Sequence, residues 1–336
     1  MTTMLQPLAA APGRPAFLDR QRERIAGLHD VPARMALRLS NMPVARRLMG
    51  RRYDRARARH SAGLAPLDAR DTQIVTAIEQ TGVFITSLDA LGLPGSRDVA
   101  RSATTVAEAF AEEARRRVAA GIDFNVVPPA AILAQPAIFG WGLQERLLDI
   151  VEAYLGLPVS YDGVSINYTV ADGREASTRK WHRDWEDRRM LKVAIYLNDV
   201  DERGGPFEIV TRADDRPTDA DGFSYALASD VEMATRLGPG FAKSVMSCQG
   251  PAGTVVFADT AGFYHRGKPA VAQDRKAIVY SYFARAPRHP YLCERSGLSR
   301  ADIAALARDL PPRQRAAALW REELPLMVKW IPPARL

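Results

Sequence analysis

Cysteine is scarce, with Cys248 and Cys293 the only two in 336 residues. Such a pair frames no secreted disulfide scaffold and no cysteine-rich zinc site, so a reducing, cytoplasmic setting is expected. Long apolar runs are missing too: residues 128–133 are among the longest, far short of the roughly 18 residues a membrane span needs. There is no internal repeat and no low-complexity linker. The start, MTTMLQPLAAAPGRPAF, has no early basic residue and only a short apolar part, so no secretory signal is expected. Its arginine-rich continuation leaves an organelle presequence open. What is present is an ordinary globular composition, 47% hydrophobic and 25% charged, in a chain long enough to bury a real core.

Acidic residues are sparse at the front of the chain. Residues 1–60 hold thirteen arginines against four acidic residues, a local charge of +9, so the +7 total leaves −2 for the rest. The basicity therefore belongs to an arm of about residues 1–65 and says little about the body at 66–336. Its densest stretch, RRLMGRRYDRARAR, would attract phosphates or acidic headgroups at short range. Without interleaved aromatics or a nucleic-acid motif, a solvated helix face is the favoured reading over nucleic-acid or anionic-membrane contact.

Apolar spacing of three and four predicts helices over residues 16–49 with a break near Pro43, and over 71–82, 102–120 and 141–155. Asp71 is expected near one cap and Gly82 after that helix's end. From 164 to 285 the texture changes to short β-rich runs, at 164–170, 192–200, 206–210, 253–258 and 275–285, with Gly204-Gly205 in a hairpin position. Such spacing predicts a mainly β fold, an antiparallel sandwich or barrel, wrapped by helices. Helical support is expected at 66–160 and the β core at 161–286. Helices return at 287–336, with Ser299 capping one and Pro311-Pro312 opening the next. Residues 211–250 read as an insertion between core strands, equally a lid or a solvated loop, with a helix at 230–237.

Within the β region WHRDWEDRR holds His182 and Asp184. Two residues apart on an extended chain, their side chains leave one face while Arg183 leaves the other. His265, in the turn DTAGFYHRG, is a candidate third ligand. Two imidazoles and one carboxylate on one face of an octahedral ion leave three open positions, as non-heme Fe(II) oxygenases require for a chelating co-substrate and O₂. Ten residues on, alternation in RKAIVYSYFAR puts Arg275, Ala277, Val279 and Ser281 on one strand face, and an inward Arg275 reaches a ligand carboxylate with its planar fork. His29, His60 and His289 are read as structural. Trp181 and Trp185 flank the ligands as pocket walls or packing residues, and Lys192 either holds an anionic group or sits at a strand edge.

From about Ser165 to Phe283, the segments SINYT, WHRD, KVAIYLNDVDERGGPFEIV, GTVVFAD, FYHRG and DRKAIVYSYF resemble the phytanoyl-CoA dioxygenase family of Fe(II)/2-oxoglutarate oxygenases. The resemblance implies a double-stranded β-helix (jelly roll), His182, Asp184 and His265 as the iron triad, and Arg275 on the distal carboxylate of 2-oxoglutarate. It nominates Asn167 as a pocket residue, and Asp184 as a ligand that favours hydroxylation over halogenation. Two departures stand out. Gly267 replaces a frequent Ser two residues after the distal His, leaving the carboxylate to another partner such as Ser281. VTRADDRPTD replaces a Gly-Ser-His turn. The implied reaction consumes Fe(II)-bound O₂ and 2-oxoglutarate, yields succinate and CO₂, and hydroxylates a small molecule, a specialised metabolite or lipid. The rivals are a non-catalytic jelly-roll binding module and a cupin-like metalloenzyme for which Arg275 is dispensable. Substrate identity, the carbon attacked and oligomeric state are not encoded in these motifs.

Overall fold

The computed structural model describes residues 30–212, 215–218, 221–223 and 225–334. His29, the helical reading before residue 30 and the leader segment lie outside the described residues. Among the described residues the β-branched and aromatic runs form eight strands: β1 (Val83–Ser87), β2 (Val159–Thr169), β3 (Met190–Tyr196), β4 (Phe207–Val210), β5 (Val245–Cys248), β6 (Thr254–Asp259), β7 (His265–Gly267) and β8 (Arg275–Ala284). They make two antiparallel sheets, β1-β6-β3-β8-β2 and β5-β4-β7. Ile209 and Cys248 of the small sheet pack on Val83, Val256 and Ala258 of the large one, which makes the core a jelly roll.

Alternation divides the large sheet between two tasks. One row, Val164, Tyr280, Val193 and Phe257, is paired strand to strand and buried against helices Ala69–Thr81, Ser96–Ala109 and Glu145–Leu155. The neighbouring row, Ser165, Val279, Ala194 and Val256, faces the small sheet. Helix Pro136–Trp141 is fixed to the outer face by three buried tyrosines. Tyr161 donates to Phe139 O (3.0 Å), Tyr280 to Ile138 O (3.1 Å) and Tyr282 to Gly142 O (2.7 Å). These bonds satisfy carbonyls that a helix terminus leaves open.

Several expectations need correction. Asp68, not Asp71, caps Ala69–Thr81, its side chain accepting the Asp71 N–H at 2.7 Å. The predicted helix 102–120 is two, Ser96–Ala109 and Ala111–Ala119, broken at buried Phe110. Gly204-Gly205 closes no hairpin, because β3 and β4 belong to different sheets. Gly205 instead adopts φ 69°, and a Cβ there would sit 2.5 Å from Lys268 O, so the chain crosses between sheets where only glycine fits. Part of the 211–250 insertion is core, since β5 pairs with β4.

The basic segment is docked along its described length. Helices Val31–Ser40 and Pro43–Ser61 meet the body through Ala33, buried beside Trp185 and Tyr291, through His60 Nε2 on Glu152 (2.6 Å) and through Arg57 Nε on Leu155 O (3.1 Å). Asn41 binds the Phe223 backbone twice, Nδ2 donating at 3.0 Å and Oδ1 accepting at 2.7 Å, which ties the insertion to this arm. Among the described residues no helix is long and apolar enough to cross a membrane.

Gly82 tests the packing of core on helix. It ends Ala69–Thr81 at φ 80°, and a Cβ there would lie 2.5 Å from the Phe263 ring. Combining left-handed strain with overpacking, Gly82→Ala should lose about 2–4 kcal/mol in urea unfolding. A loss under about 0.5 kcal/mol, the ordinary surface value, would contradict this packing.

Candidate metal centre

The His182 and His265 backbones form a reciprocal pair that joins the segment ahead of β3 to the start of β7. His182 N–H donates to His265 O at 3.0 Å, and His265 N–H donates to His182 O at 2.9 Å. Directly opposed residues on antiparallel chains project side by side, and the imidazole centroids lie 4.3 Å apart. Asp184 follows on the same face, its N–H held by Thr260 O at 2.8 Å. One ligand atom from each of His182, Asp184 and His265 lies within 4.8 Å of the others, and all three residues are buried.

The hydrogen bonds also set the tautomers. His182 Nδ1 faces Lys180 O at 2.7 Å and His265 Nδ1 faces Phe263 O at 3.2 Å. A carbonyl only accepts, so both protons sit on Nδ1 and both Nε2 lone pairs are left for a ligand. Burial lowers both histidine pKa values, with the His182–His265 contact lowering His265 further, while Asp184 opposes the shift. The rings stay neutral near pH 7. Burial opposes ionisation of Asp184 as well, but Lys192, His265, His182 and Arg295 outweigh it and hold the carboxyl well below the usual range. Its Oδ2 is buried and is met by the Lys192 ammonium 2.5 Å away in an ion pair. Two neutral nitrogens with free lone pairs and one anionic carboxylate, converging on one point, fit a divalent transition metal.

This triad closes one end of a cavity of about 210 Å³ between the sheets. Arg275 and Asn167 line it, as does Ser281. Arg275 makes no ion pair among the described residues: Nη2 contacts Thr169 Oγ1 at 3.3 Å, and Nη1 is buried without an acceptor. Burial lowers its pKa, Tyr196 opposing and Arg179 adding to the shift. Asn167 Oδ1 is likewise buried without a partner. Ser281 needs a correction. It sits opposite Lys192, six residues along β8 from Arg275 and so roughly 20 Å away, too far to share a carboxylate with it. The hydroxyl beside Arg275 is Thr169, its cross-strand partner. Gly267 has a positive reason as well: a Cβ there would lie 2.6 Å from Arg275 Nη2.

The surrounding residues sort by contact. Trp181 is packing, its indole donating to Asp230 at 2.7 Å. Trp185 carries Tyr225 at 4.4 Å and Phe223 at 5.7 Å, and Tyr225 reaches to 5.9 Å of the His182 ring, so the insertion covers the site. Sequence reasoning missed Arg295, which also lines the cavity. A bulge in β2 turns Asp162 out to accept the N–H groups of Glu294 (2.6 Å) and Arg295 (3.2 Å), and Arg295 Nε pairs with Glu186 at 2.5 Å. No local motif announces such a contact.

No family model and no curated protein sequence matches the chain. Among solved structures it is similar to EctD from S. alaskensis with 2-oxoglutarate and 5-hydroxyectoine, at 18% identity and a TM-score of 0.44 over 67% of this chain and 79% of that one. It is also similar to the epimerase SnoN with Fe3+, alpha ketoglutarate and nogalamycin RO, at 17% identity and a TM-score of 0.44 over 73% and 91%. HygX from Streptomyces hygroscopicus with nickel and 2-oxoglutarate aligns at 17% identity and a TM-score of 0.40 over 66% and 88%. At these values the overlap is partial.

Metal should therefore stabilise the fold. Saturating metal-free protein with Co(II) or Fe(II) at a hundred times Kd should add about 2.7 kcal/mol, read as a rise in Tm. His182→Ala and His265→Ala should lose that rise, and wild-type affinity should vary little between about pH 6 and 8 because the rings are already neutral. An undiminished rise in both variants would refute the site.

Proposed function

We propose that this protein is an Fe(II)- and 2-oxoglutarate-dependent oxygenase that hydroxylates a C–H bond of a small organic molecule. One observation carries the reading: a single cavity holds three convergent metal-seeking lone pairs and a buried guanidinium with no carboxylate partner among the described residues. A guanidinium buried without a counter-charge costs several kcal/mol, a cost that an anionic ligand relieves.

His182, Asp184 and His265 would hold the iron on one face and leave three positions for the keto-acid end of 2-oxoglutarate and for O₂. When bound, iron supplies the redox chemistry that couples decarboxylation of 2-oxoglutarate to succinate and CO₂ with oxidation of the substrate. The remaining roles are positioning. His265 and Gly267 lie two residues apart on β7, roughly 7 Å along a strand, and the Arg275 guanidinium sits against Gly267. That span suits a five-carbon diacid with its far carboxylate in the Arg275 fork and its keto-acid end toward His265. Thr169 steadies Nη2, and Asn167 offers its amide to a ligand oxygen. Ala194, Val256, Ala277 and Val279 form an apolar wall that keeps water from the reacting centre.

With Fe(II), ascorbate and O₂, the protein should convert 2-oxoglutarate to succinate. His182→Ala and Asp184→Ala should each lower turnover at least a hundredfold. Arg275→Ala and Gly267→Ala should each raise KM for 2-oxoglutarate at least tenfold, the second by displacing the guanidinium. Retained turnover in both ligand variants would reject the reading, and an unchanged KM in Arg275→Ala would reject 2-oxoglutarate as co-substrate.

A further inference from the structure

A second and larger cavity, about 710 Å³, adjoins the first, and Asp184 lines both. It lies past the ends of β3, β6 and β8, between the HxD turn and the insertion. Six arginines from separate segments line it: Arg183, Arg188 and Arg189 ahead of β3, Arg216 and Arg236 from the insertion, and Arg288 after β8. Several are backed by rings, with Arg183 over Tyr264 at 3.9 Å, Arg189 over Tyr154 at 4.2 Å and Arg216 over Phe263 at 4.6 Å. Stacking fixes the plane of a guanidinium while its in-plane donors remain available to an oxyanion.

The donors of the three stacked arginines, Arg183, Arg189 and Arg216, are only partly spent. Arg183 uses Nη2 on Asp215, Arg189 uses Nη2 on Glu79, and Arg216 reaches Glu79 and Asp259 through its two Nη groups. The Nε atoms of all three are buried with no hydrogen-bond acceptor. Of the carboxylates in the wall, Asp215 pairs with Arg183 and Asp259 Oδ2 with Arg216, while Asp259 Oδ1 accepts the N–H groups of Ala261 and Gly262, Asp187 those of Arg188, Ala284 and Arg288, and Asp221 the N–H and hydroxyl of Thr218. One neutral acceptor points to the same ligand. His289 is fully buried in this wall and its Nδ1 donates to Trp185 O at 2.6 Å, which leaves the Nε2 lone pair without a donor.

We propose that this cavity holds the organic substrate, and that it is built for one carrying an acidic group, a carboxylate or phosphate, gripped by Arg183, Arg189 and Arg216. A substrate hydroxyl or N–H donates to His289 Nε2, and the carbon skeleton runs past Asp184 toward the metal. The insertion is then a wall of the substrate site through Arg216, tethered from outside by the Asn41–Phe223 pair. This deepens the oxygenase reading and rests on it for the identity of the reaction.

The test titrates methylphosphonate and propionate calorimetrically into the full-length, metal-free protein. At least one should bind saturably, and the tighter of the two names the acid. Arg275→Ala should leave that Kd within twofold. Arg183→Gln and Arg216→Gln should each raise it at least tenfold, and Arg236→Gln, on an exposed helix face, at least threefold with no change in Tm. Absence of binding by either anion overturns the proposal, as does an unchanged Kd in the three glutamine variants, or loss of binding in Arg275→Ala alone. The two readings fail separately. If anaerobic Fe(II) and 2-oxoglutarate give no charge-transfer absorbance while the arginine-dependent anion binding persists, the oxygenase reading falls and the anion site stands. The reverse result removes only the substrate class.

Discussion

The reciprocal backbone pair between His182 and His265 is the constraint on which the rest of the site depends. It joins a segment outside both sheets to the short strand β7, and it alone places two imidazoles from residues 83 positions apart in sequence beside each other. Once that pair is made, the remaining geometry follows from strand periodicity. Asp184 shares a face with His182, Gly267 shares a face with His265, and the gap at Gly267 admits Arg275 from β8. The carbonyls of Lys180 and Phe263 then choose which nitrogen of each ring is left free.

The sheet separates stability from chemistry by alternation. Its outer rows carry the aromatic and branched side chains that bury the helices, and the tyrosine hydroxyls there find helix carbonyls. Its inner rows carry the polar and small residues that line the cavity. The costs of burial are concentrated on that inner side, in Arg275 Nη1 and Asn167 Oδ1, buried without hydrogen-bond partners, and in Asp184, whose buried carboxylate meets the Lys192 ammonium. Unsatisfied groups in a binding cavity mark where a ligand completes the structure.

Much of this was legible in the sequence because it depends on local periodicity. The i, i+2 relation of His182 and Asp184, and the inward set Arg275, Ala277, Val279 and Ser281, follow from an extended chain and need no knowledge of its neighbours. Thr169 beside Arg275 was not legible, since it depends on the register of β2 against β8, nor was Arg295, which a β2 bulge brings in through Asp162. The ladder that makes residues 245–248 a strand is likewise supplied by a distant partner. Asp68 and Asp71 compete for one cap within a single turn, and only the backbone dihedrals decide between them. The arginine-lined cavity draws on segments scattered from residue 183 to residue 289, so no window of sequence contains it.

The central claim is that His182, Asp184 and His265 bind one metal ion together. Its most direct test is an anomalous difference map, recorded at the iron edge from crystals loaded anaerobically with Fe(II). The account predicts a single strong peak within about 2.0–2.2 Å of both Nε2 atoms and one Asp184 oxygen. A peak held by other residues, or by only one of the two histidines, would contradict it.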